Sequence, residues 1–194
     1  MSVCRSLTAL FLTVYLSACE TPVQMLELPQ LTFGHLPILS INVAKVDTLD
    51  NYRSPGKVPN IEHMLPTSPV IGLERWAGDR LKAVGKAGTL RLIINDASAI
   101  ETPLKKDTSL RGTFTKQQSQ RYDFSIRASL VVVDAGGRVA ATAVAAVRRS
   151  VSVAEDVTLN ERKKIWFEAV EKLLVDYDRE MEKNVRRYLV DWLH

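Results

Sequence analysis

Thiols are almost absent from this chain of 194 residues. Its only two cysteines are Cys4 and Cys19. Residues 20–194 can therefore form no disulfide framework and no cysteine metal cluster, and the fold must be held by its core. Histidine is as scarce. His35, His63 and His194 lie far apart in sequence, whereas a zinc site needs three or four converging ligands. No strand-to-helix glycine loop suited to phosphate is present, since Gly136-Gly137 reads as a hairpin turn. No Gly-x-Ser-x-Gly elbow occurs. The 26 basic and 22 acidic residues are interspersed, with no basic stripe of the kind that binds nucleic acid. Arg148-Arg149 and Lys163-Lys164 are short doublets that read as solvated faces. No cofactor is expected.

The N-terminus carries the strongest signal. One positive charge, Arg5, precedes an apolar run over residues 7–16, and then Ser17 and Ala18 precede Cys19. This is the pattern of a secretory signal peptide. The run is about half the roughly 20 residues that a membrane-spanning helix needs. Leu16-Ser17-Ala18-Cys19 resembles the lipobox of bacterial lipoproteins. That resemblance implies cleavage before Cys19 and attachment of lipid to its sulfur, whose thiolate is the nucleophile. The alternative is an ordinary cleavable signal that leaves a free Cys19. Glu20 stands where aspartate is the usual inner-membrane retention signal of such lipoproteins. The resemblance thus points to the outer membrane, with the domain facing the periplasm.

The expected organisation is a signal peptide over residues 1–18, a lipidated tether over 19–37 and a single domain over 38–194. Pro22, Pro29, Gly34 and Pro37 mark the tether. Leu39, Ile41 and Val43 alternate with polar or small residues, predicting a half-buried strand over 38–47. Residues 48–67 read as loop. Ser68-Pro69 opens a helix with Leu73, Trp76, Ala77, Leu81 and Val84 on one stripe, closed by Gly85 and Gly88. A strand over 90–94 follows, so the three elements predict a parallel crossover. Residues 101–119 are polar, with Glu101 and Asp107 needing no special role. Asn95-Asp96 is either a polar site or a strand end turning into a loop.

From Arg121 the alternation is clean, with Tyr122, Phe124, Ile126, Ala128, Leu130 and Val132 on one face. A turn at 134–137 leads to a return strand over 139–153. Thr158 and Glu161 form a capping box that opens a helix over about 159–192. Such a helix would run about 50 Å, so it either breaks or projects beyond the core. The order strand, helix, strand, strand, strand, helix predicts an α+β fold. It implies a mixed sheet of about four strands with two helices on one face.

Two features suggest a partner surface. Ala140, Ala143 and Ala145 give the return strand small side chains that permit close approach, either by a partner or by one of the chain's own helices. Tyr188 and Trp192 sit at the end of the long helix, either facing a partner or continuing the core stripe.

The layout resembles the lipopolysaccharide-assembly lipoprotein family, and it is similar to the auxiliary lipoproteins of ABC-type lipid transporters. The resemblance rests on Tyr122-Asp-Phe-Ser-Ile, Leu130 to Asp134, Gly137, Arg148-Arg149 and the helix from Leu159. It departs in the proline-rich segment 48–67. It implies a non-catalytic domain without cofactor that supports an outer-membrane barrel or bridges transporter parts, with an envelope protein as partner. A ligand-binding or hydrolytic domain with a site assembled in space, and a peptidoglycan-binding anchor, remain as alternatives.

Overall fold

The period-2 pattern from Leu39 to Val43 does bury its apolar side chains, but not on one strand. In the computed structural model, which describes residues 27–105 and 118–194, the segment divides. Strand β1 (Leu39–Ile41) pairs in parallel with β3 (Leu81–Ala83), and β2 (Lys45–Asp50) pairs in parallel with β4 (Thr89–Asp96). Between them the chain crosses the link that joins β3 to β4. Gly85 N–H donates to the Val43 carbonyl at 2.9 Å. A Cβ on Gly85 would lie 2.6 Å from the Asn42 carbonyl carbon and 2.7 Å from the Val43 nitrogen. Gly85 is therefore a site of close backbone approach and not the helix terminator expected from the sequence.

Helix α1 (Pro69–Arg80) starts as predicted, with the Ser68 side chain accepting from the Ile71 N–H. It ends earlier than the apolar spacing implied. Leu81 adopts extended backbone and opens β3, so Leu81 and Val84 leave the helical stripe. The crossover between β2 and β4 is parallel, as expected.

The hairpin of β6 (Gln118–Val133) and β7 (Val139–Ala154) is the longest pairing in the fold. All six predicted inward residues of β6 are buried. At the turn, Asp134 Oδ1 accepts from the N–H groups of Gly136 and Arg138, and Gly137 takes a positive φ of 79°. The segment 101–119 is not wholly loop, because β5 (Ala99–Pro103) pairs with the first half of β6. The main sheet runs β2-β4-β6-β7, and β5 continues the β4 side of β6. It has five strands, mixed in direction, with β1–β3 as a separate pair.

Helix α2 (Leu159–Tyr188) begins with the predicted capping box between Thr158 and Glu161. It does not project. The chain breaks at Leu189 into a 3-10 turn (Val190–Trp192) and returns to β1. The Asn42 N–H donates to the Trp192 carbonyl at 2.8 Å, and the His194 N–H donates to Ser40 at 3.0 Å. One core unites the inner face of the sheet with both helices. Trp76 of α1 meets Tyr177 of α2 edge-on at 5.0 Å, and Tyr122 of β6 meets Trp166 of α2 likewise at 5.3 Å.

The stretch expected to be tether is partly domain. Leu31 and Phe33 are buried in the core cluster. The Phe33 N–H donates to Asp79 Oδ2 at 2.7 Å, and Thr32 Oγ1 donates to the same oxygen at 3.0 Å. Two buried apolar anchors, each worth about 1.5–3 kcal/mol, hold residues 31–33 on α1.

Candidate interaction surface

The five residues singled out for a partner surface separate in space. Ala143 and Ala145 are 0% and 1% exposed and belong to the core under α2. The absence of bulk there serves the chain's own helix, as a two-layer architecture requires. Trp192 is half-buried against the core, and its carbonyl is held by Asn42. Ala140 and Tyr188 stay exposed, Tyr188 at 51%. Arg187 stacks over the Tyr188 ring at 5.2 Å.

These exposed residues flank the outer edge of β7, which no other strand among the described residues covers. The Ser125 N–H bonds to Ser98, on the side of β6 away from β7. By alternation, the odd residues of β6 turn their main chain that way. Their β7 partners in register, Thr142, Val144, Ala146 and Arg148, then turn their own N–H and carbonyl groups outward. Asn184 Nδ2 confirms this parity, since it reaches the Val144 carbonyl from α2 at 2.8 Å. Beside the edge lies a concavity of about 480 Å³ lined by Thr142, Val144, Glu180, Lys183, Asn184, Arg187 and Tyr188.

A larger groove of about 960 Å³ runs between residues 29–36 and α2. Its charges are mostly matched to one another. Arg149, which the sequence suggested would be solvated, donates to Asp176 Oδ2 at 2.5 Å. Arg186 donates to Glu182 Oε1 at 2.6 Å. At its floor, Asp178 Oδ1 accepts from Arg80 Nε at 2.7 Å and from Trp76 Nε1 at 2.8 Å. Arg80 also bonds Glu182. The Arg186 hydrogen bond holds the Glu182 carboxyl below its ordinary value, with Arg80 assisting against the effect of burial. Glu182 is thus a fixed anion at neutral pH, better suited to pairing cations than to donating a proton. Among the described residues, no three of His, Cys, Asp or Glu are placed to hold a metal. His35, His63 and His194 are each exposed and separate. Asp96 ends its strand accepting from Ser125 Oγ at 2.7 Å, and Asn95 is exposed beside it. Cys19 and Asp107 lie outside the described residues.

The polar cluster that sequence reasoning missed is centred on Glu62, which lies in a 3-10 turn (Glu62–Met64) of the segment expected to be loop. Its carboxylate accepts from Tyr52 Oη at 2.6 Å, Asn60 Nδ2 at 2.9 Å, Ser54 Oγ at 2.7 Å and the Ala99 N–H at 2.9 Å. It ties the proline-rich segment to β5. Only the close spacing of Tyr52, Ser54, Asn60 and Glu62 hinted at it. Burial raises the Glu62 pKa, but these four donors outweigh burial and bring it below the ordinary 4.5. A carboxyl depressed in the folded state takes up its proton first in the unfolded chain. Its stabilisation is therefore complete above the unfolded value and is lost as pH falls through the folded one. Resistance of the native chain to urea is expected to fall below about pH 4.5. Glu62→Gln should be less stable at pH 7 and should show a flatter loss in that range. An unchanged pH profile in Glu62→Gln would count against this assignment.

No protein-family model and no curated protein sequence matches the chain. Several solved structures overlap it in part, two lipoproteins among them. Rare lipoprotein B from Shewanella oneidensis is 14% identical, with 72% of this chain and 92% of that chain covered and a TM-score of 0.36. A minor lipoprotein from Acinetobacter baumannii is 12% identical, with 76% and 96% covered and a TM-score of 0.34. Overlaps this loose transfer neither fold nor role to the chain.

Proposed function

We propose that the chain is a lipoprotein anchored to the bacterial outer membrane and facing the periplasm. In this reading it is a non-catalytic, partner-binding component of envelope lipid or lipopolysaccharide transport or assembly. The observation that carries this reading is Leu16-Ser17-Ala18-Cys19 at the end of a short apolar run. The folded part supports it in two ways. No helix among the described residues is long and apolar enough to cross a membrane, which is compatible with attachment through an N-terminal lipid. The docking of Leu31 and Phe33 also shortens the stretch of sequence between Cys19 and the domain. From Cys19 to Leu28 the chain can span at most about 30 Å, which keeps the domain close to the bilayer.

The groove beside residues 29–36 is the observation that favours a ligand-binding reading. Three of its four carboxylates, Asp176, Asp178 and Glu182, are already engaged by arginines, which suits a structural seam better than a hydrolytic site. The test of the leading reading is deletion of the chain in its own bacterium, followed by uptake of a large hydrophobic dye. Dye entry is expected to rise several-fold and to return to normal with the full chain but not with a chain lacking Cys19. Unchanged permeability on deletion would contradict the reading.

A further inference from the structure

The two edges of the main sheet are built differently. The β2 edge is short and carries Lys45, Asp47 and Asp50, with Lys45 paired to Asp47 at 2.8 Å. Charge and brevity are the usual protection of an exposed edge. β7 has sixteen residues, contains no proline, and shows no register shift from Ala141 to Val153. Among the described residues, it pairs with β6 alone. The outward-facing positions 142, 144 and 146 carry small or β-branched side chains, so nothing there repels an added strand.

The surroundings are cationic. Arg148 on the edge, Arg187 beside the concavity and Lys172 further along α2 are exposed and have no ion pair among the described residues. Lys183 meets Glu180 at 3.5 Å, Asp176 is paired with Arg149 of β7 at 2.5 Å, and Glu168 lies beyond Lys172, so the acidic side chains on this flank are fewer than the basic ones.

We propose that β7 is a strand-addition site for an extended, acidic segment of a partner protein. The incoming backbone pairs with the outward groups of Thr142, Ala146 and Arg148 and with the Val144 N–H, the Val144 carbonyl being held by Asn184, and its carboxylates face Arg148 and Arg187. Main-chain bonds supply the grip and charge supplies the selection, as in other strand-addition complexes. A second copy of this chain fits less well, because edge-to-edge pairing would bring the same unpaired cations to one seam. The inference deepens the partner-binding reading and rests on it.

The experiment uses the full chain in mild detergent and two short peptides, one alternating valine with glutamate and the other valine with lysine. Binding is read by fluorescence anisotropy at low salt, and contact by amide hydrogen exchange. The acidic peptide is expected to bind at least about tenfold tighter than the basic one. It should slow exchange at Val144, Ala146 and Arg148. Val144→Pro removes an outward N–H without touching the β6 ladder and should cost the acidic peptide roughly tenfold. Arg187→Glu, an exposed substitution that leaves the backbone alone, should erase the preference between peptides even if the proline variant does not fold. Equal binding of the two peptides, absence of binding, protection confined to β2 or to residues 29–36, or self-association through β7 would each overturn the proposal. If the peptide result holds while deletion leaves permeability normal, the strand-addition site stands and the transport reading fails.

Discussion

Asp178→Ala is expected to lower the stability of the folded domain by about 3–5 kcal/mol, the cost of leaving a buried charge without its partner. Arg80 is fully buried on α1, and its Nε donates to Asp178 Oδ1 on α2 at 2.7 Å. The same carboxylate oxygen accepts from Trp76 Nε1. Removing it strands two buried donors at once. Arg80 Nη1 already lacks a partner in the structure, so the guanidinium has no spare bond to fall back on. Glu182 alone would then balance the charge from a more exposed position. The pair also fixes how α1 lies on α2, because Trp76 packs on Tyr177 at this point. Urea unfolding at pH 7 measures the effect. Lys183→Ala, which breaks an exposed pair, should change stability by less than about 1 kcal/mol and serves as the control. A loss of that small size for Asp178→Ala would mean that the buried cation is solvated or re-paired, contrary to the geometry.

The parts of the fold that were legible in the sequence are those with local causes. The β6 alternation, the turn at Asp134 and Gly137, the Ser68 cap and the Thr158 capping box each depend on residues a few positions apart, and each formed as read. Periodicity told which of Leu39, Ile41 and Val43 point inward but not which strands they join, so the division into β1 and β2 was hidden. Leu81 and Val84 kept helical spacing while the backbone had already turned extended. β5 offered too few large apolar residues to stand out from its polar surroundings. Proline and glycine in residues 22–37 looked like linker, although Leu31 and Phe33 find a pocket that only the assembled helices create. Arg80 and Asp178 lie 98 positions apart, and no local pattern announces their pairing. Of the two readings of the alanine strand, packing by one of the chain's own helices is the one seen at Ala143 and Ala145. Their small size marks close packing, and the element that approaches is α2. What remains of the surface, Ala140 and Tyr188, borders an edge whose openness depends on topology.

If Cys19 is lipidated as proposed, losing it is expected to have the largest effect of any single change, on location rather than stability. One acyl chain holds a protein to a bilayer only marginally, and each buried methylene adds about 0.8 kcal/mol, so two or three chains make the attachment stable. No helix among the described residues is long and apolar enough to cross a membrane. With an ordinary cleavable leader and Cys19→Ala, nearly all of the chain should move from the membrane fraction to the soluble periplasm, still folded. The account is tested most directly by the mass of the N-terminal peptide of the native chain purified from membranes. It predicts a peptide that begins at Cys19 and carries a thioether-linked diacylglyceryl group. A peptide that begins at Met1, or at Cys19 with a free thiol, would contradict it.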